Sequence, residues 1–272
     1  MATKKVNGVN LYYEIHGAAG DKGDIVFLNG VMASASSWLE QAKPFVKLGY
    51  RVLLHDFRGQ LKSEKPEGPY SFKLHAEDTI ALMKELGFKQ AHFIGTSYGG
   101  EVAMKTAMLF PEKVLSLSII DSVSELDEVL TGFVLGWKAI ARLKQGELFF
   151  NTMLPSLYYH DYLVANKALL EKRAKGFNEI PEDYLEGQIT LYDTFIEDVT
   201  MTEELHKIKC PALVICGVND ILKPLKFSEI IARGIENAEY LTIPNCGHVT
   251  FYEKPDALNS ALIGFVLKQS LK

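Results

Sequence analysis

The segment Gly95-Thr96-Ser97-Tyr98-Gly99 places a serine between two glycines, with the spacing Gly-x-Ser-x-Gly. This spacing suits a sharp turn in which the serine takes a strained backbone conformation, because the glycines relieve steric crowding on both sides. A hydroxyl exposed on such a turn can act as the nucleophile of acyl transfer if a neighbouring base removes its proton. We therefore predict that Ser97 is a catalytic nucleophile, with a plain helix cap as the structural alternative.

Seven histidines could supply the base, and His248 is the best placed of them. It stands in Asn245-Cys246-Gly247-His248, a loop between the last predicted strand and the last predicted helix. Such a loop lies at the carboxyl edge of a parallel sheet, the edge to which a nucleophile following a strand also belongs. We predict that His248 is the general base.

The base needs a carboxylate that fixes its tautomer and stabilises the imidazolium. Asp220 follows a predicted strand in Gly217-Val218-Asn219-Asp220, again at the carboxyl edge. Asp121 ends another predicted strand and is the alternative acid. The order Ser97, Asp220, His248 along the chain is the nucleophile, acid, base order of one class of hydrolases.

Negative charge that develops on the substrate oxygen requires two preorganised N–H donors. The residue after the nucleophile, Tyr98, would supply one from its backbone. The loop Asn29-Gly30-Val31 follows a predicted strand, and we assign the second donor to the Val31 N–H because Gly30 lets the backbone approach closely. A simple turn is the structural alternative for this loop.

The elements that must position these residues alternate between short β-rich runs and helical patterns. Strands are predicted at 3–6, 9–15, 24–28, 51–55, 92–95, 114–120, 212–216 and 239–243, and helices at 37–48, 74–86, 97–110, 227–233 and 256–268. Asn7-Gly8 predicts a two-residue hairpin between the first two strands. Strands separated by helices predict an α/β fold with a parallel sheet covered on both faces.

Residues 122–200 interrupt this alternation with helical patterns only. We predict an α/β core formed by 1–121 and 201–272, with 122–200 inserted as a helical cap. The insertion contains 11 aromatic residues in 79 positions, which would anchor small helices on a core or line an apolar pocket. The predicted pocket residues are Asn29, Trp137, Tyr158 and Phe251.

Composition excludes several other functions. The net charge is −5 and the Lys and Arg residues form no long cluster, which argues against nucleic acid as a partner. No apolar run reaches the length of a membrane span, and the polar N-terminal residues do not resemble a secretion signal. Three cysteines without metal-type spacing predict neither disulfides nor a zinc site. We expect a cytoplasmic protein that acts on a small molecule without a metal or cofactor.

Five segments together resemble the α/β-hydrolase superfamily over nearly the whole chain. They are Asn29-Gly30, Asp56-Phe57-Arg58-Gly59, Gly95 to Gly100, Gly217 to Asp220, and Gly247-His248. The resemblance implies an eight-stranded, mostly parallel sheet, a helical cap after the sixth strand, and a Ser–His–Asp acyl-transfer site without a cofactor. At a finer level the chain is similar to the branch of serine esterases, enol-lactonases and cofactor-free haloperoxidases, which implies hydrolysis of a small ester or lactone.

Two alternative functions remain open at the sequence level. Carbon–carbon bond hydrolases of the ring-cleavage type share the triad, but they usually carry a tryptophan shortly after the histidine, where this chain has Val249-Thr250-Phe251-Tyr252. A ligand-binding receptor with a retained triad and little turnover is the second alternative. Ser97 itself argues against the dehalogenases and epoxide hydrolases of this fold, which use aspartate at that position.

Overall fold

Residues 2–20 and 22–270 are described by the computed structural model, and within them eight strands form a single sheet. The strands are β1 (Ala2–Val6), β2 (Val9–His16), β3 (Asp24–Leu28), β4 (Arg51–His55), β5 (Ala91–Thr96), β6 (Val114–Ile120), β7 (Ala212–Gly217) and β8 (Ala238–Ile243). Their order across the sheet is β1-β2-β4-β3-β5-β6-β7-β8. Strand β2 is antiparallel to both of its neighbours, and the other neighbouring pairs are parallel. The predicted eight-stranded, mostly parallel sheet is confirmed.

The first two strands form the hairpin that Asn7-Gly8 predicts. Both turn residues have positive φ, 45° for Asn7 and 82° for Gly8, as a type I′ turn requires. Val6 and Val9 on either side of the turn are paired across the two strands. Because this turn twists in the same sense as the strands, it sets the register of the antiparallel edge.

The helices agree with the predicted ones within a few residues outside the insertion, with two differences. They are α1 (Leu39–Lys47), α2 (Phe72–Glu85), α3 (Tyr98–Leu109), α4 (Glu128–Ala141), α5 (Gly146–Leu157), α6 (His160–Ala165), α7 (Lys167–Gly176), α8 (Glu182–Asp198), α9 (Leu225–Gly234), α10 (Thr250–Glu253) and α11 (Pro255–Ser270). The predicted helix 37–48 begins instead with a 3₁₀ turn, and a short helix precedes the last one. Across the described part of the chain, no helix combines the length and apolar character of a membrane span.

Helices α4 to α8 all lie between β6 and β7 in the chain, in the segment 122–200. Their buried side chains, such as Phe149 and Tyr192, belong to the same hydrophobic cluster as Val26 and Leu117 of the sheet. Both rings are almost wholly inaccessible to solvent, so these two of the 11 aromatic residues in this segment anchor its helices onto the core.

The sheet is covered on both faces, and this coverage decides where polar groups can lie. All six residues of β5 are buried, as are all six of β7. Consecutive residues of β5, Phe93 and Ile94, belong to different hydrophobic clusters, because side chains alternate between the two faces of a strand. Polar side chains that could perform chemistry are therefore gathered in the loops at the carboxyl ends of the parallel strands.

Candidate active site

Ser97 lies at the junction between β5 and α3, where the chain turns sharply. Its backbone has φ 51° and ψ −122°, and few residues other than glycine adopt positive φ. A Cβ atom on Gly95 would lie only 2.3 Å from the carbonyl oxygen of Gly99, so the turn requires glycine at that position. Strain of this kind is typical of functional sites, and here it holds the serine at the carboxyl edge of the sheet.

Three side chains from three separate loops form a continuous hydrogen-bond chain. His248 Nε2 lies 3.0 Å from Ser97 Oγ, and His248 Nδ1 lies 2.7 Å from Asp220 Oδ2. His248 and Asp220 are buried, whereas Ser97 is partly exposed. The arrangement can pass a proton from the hydroxyl to the imidazole while the carboxylate fixes the other ring nitrogen.

Asp220 is oriented by the turn that it begins. Its Oδ1 accepts hydrogen bonds from the backbone N–H groups of Leu222 at 2.9 Å and Lys223 at 2.8 Å. An aspartate readily forms such a turn with N–H groups two and three residues ahead. With Oδ1 occupied, Oδ2 is directed to His248.

Asp121 lies close by but has different partners. Its Oδ1 accepts from the Gly217 N–H at 2.9 Å, and its Oδ2 accepts from the Thr250 hydroxyl. Burial and the charge of Asp220 raise the pKa of Asp121 to about 7. The contact with His248 thus belongs to Asp220, and the alternative acid instead joins the end of β7 to α10.

Opposing effects act on the pKa of His248. Burial lowers it, but the charge and hydrogen bond of Asp220 and the charge of Asp121 raise it by more, so the pKa lies above its ordinary value. An imidazole stabilised in its protonated form is a stronger base toward a neighbouring hydroxyl.

The two backbone N–H groups expected to face the substrate oxygen are those of Val31 and Tyr98. Neither has a hydrogen-bond acceptor among the described residues, and Tyr98 is the first residue of α3, whose N–H has no partner within the helix.

The direction of the Val31 N–H is set by Gln60, which the sequence analysis did not single out. Gln60 Nε2 donates to the Gly30 carbonyl at 2.9 Å. In a trans peptide the carbonyl and the following N–H point in opposite directions, so the Val31 N–H points away from Gln60. A Cβ atom on Gly30 would lie 3.5 Å from Ser97 Cβ, which brings this peptide against the serine.

A cavity of about 290 Å³ adjoins the serine and the histidine. It is lined mostly by apolar side chains, and three of the predicted pocket residues, Trp137, Tyr158 and Phe251, are among them. Its size falls near the lower end of small-molecule sites. A larger depression of about 540 Å³ touches Asp220 but includes neither Ser97 nor His248 in its lining, so the smaller cavity is the one that reaches the reactive groups.

The interpretation of Asn29 as a pocket residue is wrong. Asn29 is fully buried and does not line the cavity. Its Nδ2 donates to the His55 carbonyl at 2.8 Å and to Gln60 Oε1 at 3.0 Å, and its Oδ1 accepts from Trp38 Nε1 at 3.0 Å. These bonds occupy both ends of the amide, so Asn29 supports the loop that carries Val31 instead of touching a ligand.

One group of potential metal ligands occurs in the described part of the chain. Oxygen and sulfur atoms of Asp121, Cys216 and Asp220 lie within 4.8 Å of one another, and all three residues are buried. Burial and two neighbouring carboxylates raise the pKa of the Cys216 thiol well above its usual range, which disfavours the thiolate that binds metals. The carboxylates are occupied by N–H and hydroxyl donors and by His248, so the group fits a hydrogen-bond network better than a metal centre.

Residues 24–255 match the sequence profile of the family described as the alpha/beta hydrolase fold. This chain belongs to the α/β-hydrolase family. It is 29% identical to a putative carbamate hydrolase, RutD, of Caulobacter sp. (strain K31), over 98% of each protein.

Solved structures show the same fold for this α/β-hydrolase. An alpha/beta hydrolase enzyme, MGS-M2, from a Medee basin deep-sea metagenome library superposes with a TM-score of 0.91 at 28% identity, covering 97% of this chain and 96% of that one. The enol-lactonase from Burkholderia xenovorans LB400 superposes with a TM-score of 0.88 at 25% identity, covering 98% of this chain and 100% of that one. All three are hydrolases by name, and the names of RutD and of the enol-lactonase refer to different classes of substrate.

The loop of His248 in this α/β-hydrolase is tied to the inserted segment by contacts that sequence reasoning missed. The His248 N–H donates to the Leu157 carbonyl at 2.9 Å. Glu253 Oε2 accepts from the N–H groups of Gly247 and Tyr159, both at 3.1 Å. Glu253 belongs to the Glu-Lys-Pro stretch after the histidine, but its partner in the insertion is nearly a hundred residues away in the chain.

A buried ion pair next to the site was also missed. Lys223 Nζ lies 2.8 Å from Glu101 Oε1, and both side chains are almost fully buried. Glu101 also accepts from the Val123 N–H at 2.9 Å. The pair links the helix after Ser97 to the turn after Asp220, and its two residues are 122 positions apart, so no local pattern marks it.

Proposed function

We propose that this protein is a serine hydrolase that cleaves a small ester or lactone through an acyl-enzyme on Ser97. The observation that carries the proposal is the hydrogen-bond chain from Ser97 Oγ through His248 to Asp220, beside a mostly apolar cavity. A serine paired with a base, and a base paired with a carboxylate, is the combination that makes a hydroxyl nucleophilic.

In the first half of the reaction, Ser97 Oγ attacks the substrate carbonyl carbon while His248 Nε2 takes the hydroxyl proton. The carbonyl oxygen becomes an anion, and the N–H groups of Val31 and Tyr98 donate to it. When this intermediate collapses, the bond to the leaving oxygen breaks and His248 returns the proton to that oxygen. The acyl group remains on Ser97 as an ester.

In the second half, water replaces the leaving group. His248 removes a proton from the water, whose oxygen attacks the acyl carbon, and the same two N–H groups bind the oxyanion. Collapse releases the carboxylic acid and returns the proton to Ser97 Oγ. Asp220 stays ionised throughout and stabilises the imidazolium that forms in each half.

We further propose that residues 122–200 act as a cap that selects the substrate. Trp137, Phe150, Met153 and Tyr158 of this segment line the cavity, and their apolar surfaces favour a compact, mostly nonpolar acyl or leaving group. An ester or a lactone suits such a site, and the names of two relatives, a carbamate hydrolase and an enol-lactonase, add carbamates and enol-lactones to the carbonyl compounds worth assaying.

The proposal is tested by Ser97→Ala on a panel of p-nitrophenyl esters and small lactones. We expect kcat to fall on the order of 10⁶-fold, because the variant lacks the nucleophile. Ser36→Ala is the matched control, since Ser36 lines the same cavity without a histidine partner, and it should retain activity. Undiminished turnover by Ser97→Ala would contradict the proposal.

The wild-type protein and Ser97→Ala also distinguish ester hydrolysis from the two alternative functions, the ligand-binding receptor and the carbon–carbon bond hydrolase. A fluorophosphonate should label the wild-type protein at one site and leave Ser97→Ala unlabelled. Labelling without turnover on any substrate would indicate a ligand-binding receptor. Bleaching of a coloured vinylogous ring-cleavage product, with no ester or lactone hydrolysed, would indicate carbon–carbon bond hydrolysis.

A further inference from the structure

Among the described residues, Arg173 is the one lysine or arginine that lines the cavity. Arg173, on α7 of the inserted segment, is partly buried and contributes to the cavity wall with Tyr158, Phe177 and Tyr252. Among the described residues that line this cavity there is no aspartate or glutamate. The wall of a mostly apolar cavity thus carries a positive charge with no carboxylate beside it.

Tyrosine side chains surround Arg173. Its guanidinium lies 4.5 Å from the centre of the Tyr252 ring. The pKa values of Tyr158 and Tyr162 are raised by burial, and the charge of Arg173 opposes both shifts, which shows that these hydroxyls are close to it. In the described parts of the chain no carboxylate lies within ion-pair distance of Arg173.

The other arginines follow a different pattern. The two that are equally or more buried each have a carboxylate partner: Arg51 lies 2.7 Å from Asp24, and Arg58 lies 2.6 Å from Asp78. A buried charge is costly unless it is paired. Arg173 instead has a cation–π contact with Tyr252 and a hydrogen bond with Tyr158. Most of its five N–H donors therefore remain available to a ligand group in the cavity.

We propose that Arg173 binds a carboxylate carried by the non-reacting end of the substrate. Guanidinium matches a carboxylate with two parallel hydrogen bonds, and the tyrosines beside it supply further donors. The substrate class is then an ester or lactone that bears a free carboxylate. This inference rests on the proposed function, because it assumes that the reacting carbonyl lies at Ser97.

The test compares substrates that differ only in this charge. p-Nitrophenyl esters of succinate, glutarate and adipate carry a terminal carboxylate, and their methyl-capped counterparts of equal length do not. Wild-type protein should favour one length of the anionic series. Arg173→Gln should lose about 10- to 100-fold in kcat/KM on that ester, and should change little on the neutral one.

Two further variants separate a bound carboxylate from general charge or packing. Lys172→Gln removes one positive charge from an exposed neighbour on the same helix, and it should alter neither series. Arg173→Lys keeps the charge but not the bidentate geometry, and it should recover part of the loss. An equal loss on anionic and neutral esters, or an equal effect of Lys172→Gln, would overturn the proposal.

A binding measurement keeps the inference apart from the proposed chemistry. Free glutarate or adipate should raise the Tm of the wild-type protein and of Ser97→Ala, and not that of Arg173→Gln. If neither ester series is hydrolysed but this difference in Tm is found, the proposed reaction fails and the carboxylate site stands. If esters are hydrolysed with no preference for the anionic series and no such difference in Tm, the proposed reaction stands and the carboxylate site is refuted.

Discussion

At the scale of single residues, two buried aspartates beside one histidine have separate roles. Asp220 presents one oxygen to His248, whereas both oxygens of Asp121 are bonded to Gly217 and Thr250. Burial and the Asp220 charge raise the pKa of Asp121, because two carboxylates so close together resist ionising at the same time. The difference in hydrogen bonding assigns the orientation of the histidine to Asp220 and a supporting role to Asp121.

Replacing each aspartate by asparagine should distinguish these roles. We expect Asp220→Asn to lower kcat by about 10⁴-fold, as in a serine protease whose triad acid is changed to the amide. Asp121→Asn should keep most of the activity, because an amide can still accept from Gly217 and pair with Thr250. Steady-state kinetics on one ester substrate checks both variants. A loss in Asp121→Asn as large as that in Asp220→Asn would contradict the assignment.

The pH profile of Asp121→Asn provides a second readout. His248 must be neutral to act as a base, so activity falls as the pH drops below its pKa. The charge of Asp121 is one of the effects that raise this pKa. Its removal should move the acid limb of kcat/KM to lower pH. A limb that stays in place would show that Asp121 does not influence the base.

At the scale of elements, the turn between β5 and α3 depends on how closely the helix approaches the sheet. A Cβ atom on Gly99 would lie 2.1 Å from the carbonyl oxygen of Leu28, and one on Gly95 would lie 2.3 Å from the Gly99 carbonyl oxygen. Real Cβ atoms do not come so close to backbone oxygens. The two glycines of the motif therefore allow α3 to begin directly over the ends of the central strands, which brings Ser97 next to Gly30.

Substituting alanine in this turn should destabilise the protein and disturb the site together. We expect Gly99→Ala to lower the free energy of unfolding by about 1–3 kcal/mol or more, because backbone must shift to relieve the overlap. Gly136→Ala is the control, since it lies inside α4 with nothing within 4 Å of its added Cβ. It should raise stability by up to about 1 kcal/mol. Urea denaturation measures both, and equal effects would refute the steric explanation.

At the scale of the whole molecule, burial of histidines makes stability depend on pH. Burial lowers the pKa of His55 to about 4, that of His75 to about 3 with the charges of Arg58 and His55 contributing, and that of His92 to about 4. In the unfolded chain each of these histidines has a pKa near 6.5. Between that pH and its lower folded pKa, each is protonated in the unfolded chain but neutral in the folded protein. Their contribution to stability is fully present above that pH, and it is lost as the pH falls through the folded pKa values.

We therefore expect the free energy of unfolding to fall between about pH 6.5 and pH 4, by up to about 1.4 kcal/mol per pH unit for each such histidine. His248 acts in the opposite sense, because its raised pKa adds stability at low pH that is lost as the pH rises. His92→Gln should flatten the decline, and His160→Gln, at an exposed position, should not. Urea midpoints at several pH values would decide this, and a wild-type curve that is flat over this range would contradict it.

Local patterns were sufficient to predict most of the fold. Alternating apolar runs, the Asn7-Gly8 turn and the helical spacings fix the identity and order of strands and helices, because each depends on residues close together in the chain. The same holds for the serine turn and for His248, whose loop follows a strand. These features also predict that Ser97, Asp220 and His248 lie at one edge of the sheet.

Tertiary structure decided which side chains meet. The sequence favoured Asp220 from its place between Ser97 and His248 along the chain and left Asp121 as the alternative, because both follow strands. Only the direction of each carboxylate in the folded chain distinguishes them. It assigned Asn29 to the pocket, whereas the folded chain turns that amide toward His55 and Trp38. No local pattern marks Arg173, since its position at the cavity depends on segments far apart in the chain. Contacts of this kind depend on how distant segments pack together, and the repeating pattern within one segment does not predict them.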